Sequence, residues 1–285
     1  MIFVTGATGT VGSALLPRLV GRGQEVRALA HSASSRERVE ELGAEAFDGD
    51  LDDPESLDRG MAGCDHLFLL SPPHPAQVQR EAAAIDAAAR AGVDHVVKLS
   101  AMGATRASSI VFFRWHAEIE DHLSASGLPH TILRPGNFME THLLPVATVA
   151  SQGIWYGMTG DGAYAYVAVD DIAEVAAVTL TSPGHVGAVY ELTGPEAITM
   201  PQAAAQLSQV LSRVVNYVDV PADQYRATLS SFGLPDVLVG GVVGMYNEIR
   251  EGHQATVTNW VERLAGRRPQ SYREFAEAHK DLFSG

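Results

Sequence analysis

The stretch Val4-Thr5-Gly6-Ala7-Thr8-Gly9-Thr10-Val11-Gly12 carries the most specific chemistry in this sequence. It follows a short apolar run, Ile2–Val4, and opens a helical pattern, which is the context a dinucleotide-binding loop requires. Gly6 permits a tight turn, Gly9 lets backbone N–H groups approach a pyrophosphate, and Gly12 lets the helix pack closely on the strand. The helix N-terminus, with Thr8, Thr10 and Val11 around it, then faces the phosphates with its partial positive charge. A glycine-rich turn without a ligand is the competing reading, and position, strand and helix all favour the first. An NAD-selective site usually places Asp or Glu at the end of the second strand, to accept from the ribose 2′-OH. Here that strand ends Leu29-Ala30-His31-Ser32, with no acid. His31, Ser32, Ser35 and Arg36 could instead cradle a 2′-phosphate, so NADP(H) is the expected preference with NAD(H) also admitted; solvent-facing polar residues are the alternative. The 11 histidines show no HExxH or Cys-His spacing, so no metal site is expected. Cys64 is the single cysteine, which excludes an intramolecular disulfide and reads as packing.

The elements that must position these residues alternate in period. Apolar runs recur at Ile2–Val4, Val26–Ala30, Ala44–Phe47, Leu67–Leu70, Val96–Leu99 and Thr131–Leu133. Between them lie helical stretches: Val11–Arg22 with Pro17 inside, a second starting at Ser34 or Ser35, a third with Asp53 as N-cap and Pro54 at its first position, then Ala76–Ala91 and Phe113–Ser126. Strand and helix alternating five times predict an α/β fold, a Rossmann-type doubly wound parallel sheet covered on both faces. The second half predicts helices after Asp170-Asp171, from Thr199 to about Arg213, and over Ala222–Ser231, Pro235–Glu251, Thr258–Leu264 and beyond Ser271, with Val189–Leu192 as a strand. The expected organisation is an NAD(P)-binding domain over 1–138, to which 165–192 return, and a smaller, mostly helical C-terminal substrate lobe over 139–285, in a single compact unit.

Composition bounds the partners. The chain has 285 residues and a net charge of −14, with 20 basic residues against 34 acidic. Phosphate-backbone binding needs clustered Lys and Arg, so nucleic acid is excluded as a ligand. No apolar run approaches the ~20 residues of a membrane span, and the chain starts on a strand without a charged leader. The expectation is a cytoplasmic protein, monomer or homodimer. A flat, apolar pocket for a small aromatic substrate is predicted from Met139, Trp155, Tyr156, Tyr164, Tyr166, Phe232, Met245, Tyr246 and Trp260 together, while for any one of them a place in the core is the stronger reading.

Several segments in this order resemble one family. They are the Gly-x-x-Gly-x-x-Gly loop, Gly49-Asp50-Leu51, Ser100, His116-Ala117-Glu118-Ile119-Glu120, Leu133-Arg134-Pro135-Gly136-Asn137-Phe138, Val189–Gly194 and Gly266-Arg267-Arg268-Pro269. The sequence is similar to atypical short-chain dehydrogenases/reductases of the NmrA-like branch. The resemblance implies that Asp50-Leu51 lie beside the adenine, that Ser71-Pro72 and Pro135, Gly136, Asn137 and Phe138 run past the cofactor, and that Ser100 faces substrate. The family carries arginine where this chain has His31. Its usual Tyr-x-x-x-Lys pair is absent, since the only lysines are Lys98 and Lys280, preceded four residues earlier by Asp94 and Ala276. In register the pair reads Phe112-x-x-x-His116, with Phe112 at the substrate and His116 as catalytic residue, as in quinone-reducing members. Reducing a ketone makes a basic alkoxide that needs an acid, whereas a quinone yields a stabilised hydroquinone anion. The resemblance therefore implies an NAD(P)H-dependent oxidoreductase for quinones or conjugated aromatic acceptors. One setting is aromatic polyketide tailoring, where reduction leads to ring hydroxylation and a monooxygenase-like outcome. A non-enzymatic, dinucleotide-binding redox sensor is the alternative.

Overall fold

The computed structural model describes residues 1–283. In chain order the elements are β1 (Ile2–Val4), α1 (Thr10–Gly21), β2 (Val26–Ala30), α2 (Ala33–Glu41), β3 (Glu45–Asp48), α3 (Pro54–Met61), β4 (His66–Leu69), α4 (Gln77–Ala91), β5 (His95–Leu99), α5 (Val111–Ala125) and β6 (His130–Pro135). Then come α6 (Val146–Gln152), β7 (Ile154–Gly157), β8 (Ala163–Tyr164), α7 (Val169–Thr181), β9 (Val189–Leu192), β10 (Ile198–Thr199), α8 (Met200–Leu211), β11 (Asn216–Asp219), α9 (Ala222–Ser231), α10 (Asp236–Arg250), α11 (Trp260–Ala265) and α12 (Tyr272–Ala278). Two compact units emerge: 1–108, 112–135 and 172–191 form the first, and 109–111, 136–171 and 192–285 the second.

The first unit is the doubly wound α/β fold. Its strands run in the order β3-β2-β1-β4-β5-β6-β9, all in parallel. The order reverses between β1 and β4, the switch point where open α/β sheets bind ligands at the carboxyl ends of their strands. One face packs Phe3, Leu67, Leu69 and Val96 under Leu57 and Met61 of α3, Ile85 of α4 and Ile119 and Leu123 of α5. Cys64 belongs to this core, where burial raises its thiol pKa.

The helix starts follow local chemistry. Asp53 caps α3, accepting from the Glu55 N–H at 3.1 Å, with Pro54 at the first helical position. Gly92, at φ 73°, closes α4 in a conformation that suits glycine. The expected cap of α2 at Ser34 or Ser35 is corrected to Ser32. Its hydroxyl accepts from the Ser35 N–H at 3.1 Å while Ser35 Oγ accepts from the Ser32 N–H at 2.9 Å. That reciprocal box moves the cap two or three residues earlier.

The second unit is mostly helical but holds two small sheets absent from the sequence expectation. In these β8 pairs antiparallel with β10, and β7 pairs parallel with β11. Its core gathers Met139, Val149, Trp155, Tyr164, Tyr166, Leu207, Tyr272 and Phe275. Inside lies His142, 4% exposed, with ring centroids of Trp155, Tyr166 and Tyr272 at 4.8, 4.3 and 5.2 Å. The capping boxes expected at Thr199–Gln202 and Ser271–Glu274 both form. Among the described residues no helix is long and apolar enough to cross a membrane.

Candidate active site

The glycine loop sits at the switch point and is tied to it. Thr5 Oγ1 donates to the Leu70 carbonyl at 2.8 Å and accepts from the Leu70 N–H at 2.9 Å, joining the ends of β1 and β4. Gly6 adopts φ +63°, and the Gly9 N–H closes the turn onto the Gly6 carbonyl at 3.1 Å. A Cβ on Gly12 would stand 2.2 Å from the Gly6 oxygen and 2.7 Å from Ala7 backbone, so only glycine lets α1 lie against the loop. Helix α1 begins at Gly9 with no side-chain cap and no acid in its first turn. Its leading N–H groups have no intrahelical acceptor and present partial positive charge. Thr8, Thr10 and Val11 flank that end, with Thr10 exposed and Val11 buried. A dinucleotide pyrophosphate fits such an uncapped terminus.

Along the same sheet edge, the ends of β2 and β3 bring His31, Ser32 and Arg36 beside Asp48 and Asp50. His31 is exposed, and Ser32 is committed to the α2 cap. Arg36 donates from Nε to Asp48 Oδ1 at 3.0 Å and pairs with Glu40 at 3.2 Å, so its charge is already shared. Asp50 accepts from the Asp52 N–H at 2.9 Å, and Leu51 packs on the core below.

The ends of β4 and β5 carry a polar network that the sequence reading missed. Ser71 Oγ donates to Glu81 Oε1 at 2.8 Å, and Gln77 Nε2 reaches the same oxygen at 3.1 Å. Glu81 Oε2 pairs with Lys98 Nζ at 2.7 Å, both side chains fully buried. Lys98 Nζ also donates to the Leu99 carbonyl and lies 3.5 Å from Nδ1 of His116 on α5. Burial, then the charges of Lys98 and Arg134, hold the His116 pKa well below its ordinary value. That shift favours the neutral ring. Ser100 donates to Glu120, whose carboxylate also receives Nε of Arg134 at 3.0 Å, so the serine hydroxyl is engaged. A lysine inside the apolar run Val96–Leu99 was the signal available, because a fully buried lysine needs a buried partner.

Phe112 is half-buried and edge-on to Trp115 at 5.9 Å, with no proton to give. Pro72 is exposed beside buried Ser71, and Pro135 ends β6. In the second unit, the Gly136–Phe138 strip runs beside 164–167: the Asn137 N–H donates to Tyr164 Oη at 2.8 Å, and Phe138 bridges Val167. Met139 and Trp155 lie in that unit's core, and Tyr246 packs against it with burial holding its phenol well above the ordinary pKa. These three sit where the alternative, core reading placed them.

Residues 6–183 match the NAD(P)H-binding family. The chain belongs to that family. It is 33% identical to an NAD(P)H azoreductase of Xenophilus azovorans over 99% of both chains. It is 36% identical to a (4-alkanoyl-5-oxo-2,5-dihydrofuran-3-yl)methyl phosphate reductase of Streptomyces griseus subsp. griseus, over 100% of this chain and 99% of that one. The crystal structure of an Escherichia coli NADPH-dependent quinone oxidoreductase complexed with NADPH superposes with a TM-score of 0.88 at 28% identity, covering 98% of this chain and 99% of that one. The chain is an NAD(P)H-dependent oxidoreductase.

Arg36→Ala tests the expectation that this position holds a 2′-phosphate. Arg36→Ala removes the only cation among His31, Ser32, Ser35 and Arg36 and frees Asp48 from its ion pair. The expected result is an NADPH KM raised by roughly tenfold with NADH little changed, the loss of one charge-assisted contact. Steady-state titration with both dinucleotides checks it, and an unchanged NADPH KM removes Arg36 from recognition.

Proposed function

We propose that this oxidoreductase uses NADPH to reduce quinones or similarly conjugated aromatic acceptors. The observation that carries this reading is the missing acid: Phe112 stands in the tyrosine position, and His116, half-buried 3.5 Å from the Lys98 ammonium, is held toward its neutral form. Bound NADPH supplies the hydride. The acceptor must then hold the incoming electron pair without a strong proton donor, which a quinone does by forming a hydroquinone anion that takes its proton from water. The azo, quinone and 5-oxo-2,5-dihydrofuran groups named for three relatives are all conjugated. A polyketide quinone is one candidate within this class, and its hydroquinone would be open to ring hydroxylation by oxygen.

His116→Ala is expected to lower kcat/KM for a quinone by about 10²-fold, the low end for losing a hydrogen-bond donor to developing negative charge, with dinucleotide affinity measured in parallel. NADPH oxidation against matched panels of quinones and saturated ketones tests the class. Turnover of ketones at comparable rates sinks the quinone reading, and tight NADPH binding without turnover of any acceptor favours a sensor. Oxygen uptake with a hydroxylated product, followed by mass, tests the tailoring variant.

A further inference from the structure

We propose that Lys98, held by Glu81, positions His116: it fixes the imidazole as the tautomer bearing hydrogen on Nε2 and leaves that N–H as the ring's single donor toward ligand. This rests on the reading of His116 as part of the reductase site, and it adds a residue from a different element to that site.

The argument starts from what an ammonium can offer. Lys98 Nζ carries only hydrogens, and it faces Nδ1 of His116 at 3.5 Å. A hydrogen on Nδ1 would point at that positive charge, whereas a lone pair there is attracted to it, so the proton resides on Nε2. The ammonium cannot swing away. Glu81 Oε2 holds it at 2.7 Å, and the Leu99 carbonyl takes a further hydrogen. Glu81 is itself fastened by Ser71 and Gln77. Every polar member of this chain except His116 is buried, so its geometry is set by packing rather than by solvent. The charged groups facing His116 are Lys98 from β5 and Arg134 from β6, the latter neutralised by Glu120 on the histidine's own helix. Both act against a second positive charge on the ring. The chain thus reaches from Ser71, on the segment expected beside the cofactor, through Glu81 and Lys98 to His116.

The arrangement also accounts for histidine at position 116. A lysine there, as in the family's usual pair, would set two ammonium groups against one Glu81 carboxylate. Here the cation enters from β5, and a neutral ring fills the helix position.

The test reads the tautomer directly. In protein with ¹⁵N-labelled histidine, the His116 signals are assigned with the His116→Gln variant. They are expected to show Nε2–H and an unprotonated Nδ1, without titration between about pH 5.5 and 8. Glu81→Gln combined with Lys98→Met removes both charges while keeping size, so no buried charge is left unpaired. In that double variant the ring is expected to populate both tautomers and to titrate toward its ordinary range, and quinone turnover is expected to gain a pH dependence that the parent lacks. Lys98→Arg, which keeps the cation, is expected to retain the Nε2–H form. An Nδ1–H ring in the parent, or unaltered His116 signals in a folded double variant, overturns the proposal. Because these signals need no turnover, they stand or fall separately from the identity of the acceptor.

Discussion

Gly9→Asp is expected to abolish binding of both NADPH and NADH while leaving the fold intact. Gly9 has φ −74° and ψ 178°, which any residue adopts, and a Cβ there meets nothing closer than the Gly6 oxygen at 3.3 Å. Aspartate is moreover a favoured N-cap, so α1 would gain a cap. That same carboxylate would occupy the place of the pyrophosphate and repel it. Loss of two or more charge-assisted hydrogen bonds is worth about 4 kcal/mol, or ~10³-fold in affinity. Gly12→Ala separates the two effects. Its methyl group would overlap Gly6 and Ala7 backbone, costing about 1–3 kcal/mol of stability, with weaker binding as a consequence of the displaced loop. Calorimetric titration and thermal melts distinguish them. An unchanged affinity in Gly9→Asp would remove the α1 terminus from phosphate recognition.

Acid is expected to destabilise the protein steeply below about pH 6.5, and the buried ring of His142 is one reason, with His95 and His116 acting in the same direction. Burial pushes its pKa down to about 3, and both ring nitrogens lack hydrogen-bond partners among the described residues. His95 is pushed down to about 4, by burial first and then by His66, His185 and His130. The unfolded chain takes up protons on these rings near pH 6.5, and the folded chain does not. Stability is therefore complete above that value and falls as pH drops toward the folded pKa. At pH 5, His142 alone accounts for about 2 kcal/mol. His142→Leu keeps an apolar filling and removes the proton site. Urea titrations at pH 8 and pH 5 should show a loss smaller by that amount in the variant, with stability at pH 8 equal to or above the parent's. Equal pH dependence in the two proteins would contradict the assignment. The difference between them also isolates His142 from Glu140 and Asp171, whose burial-raised pKa values act in the opposite direction.

Local signals were sufficient for one class of feature. The glycine loop, the Asp53-Pro54 start of α3, the two capping boxes of the second unit and the alternation of strands and helices are each written within a few consecutive residues. A turn, a cap or an amphipathic period is satisfied by near neighbours, so the sequence by itself determined the α/β class and the dinucleotide loop. The α2 start moved to Ser32 because three serines stand close together there, and only backbone geometry selects among them.

Features built from distant partners were decided by the tertiary structure alone. The paired strands β7 with β11 and β8 with β10 are two to four residues long and draw on segments more than thirty residues apart, too short and too remote for a period to show. Met139 and Trp155 are apolar and aromatic residues of types that serve in a pocket or in a core, and they lie buried in the core of the second unit. The chain Ser71–Glu81–Lys98–His116 takes its members from the β4 end, α4, β5 and α5. Lys98 lies on β5, eighteen residues before His116 on α5, so its charge becomes visible at the site only when that helix packs back against the sheet. Electrostatic contact depends on distance in space, and a doubly wound sheet makes neighbours of residues that the chain keeps apart.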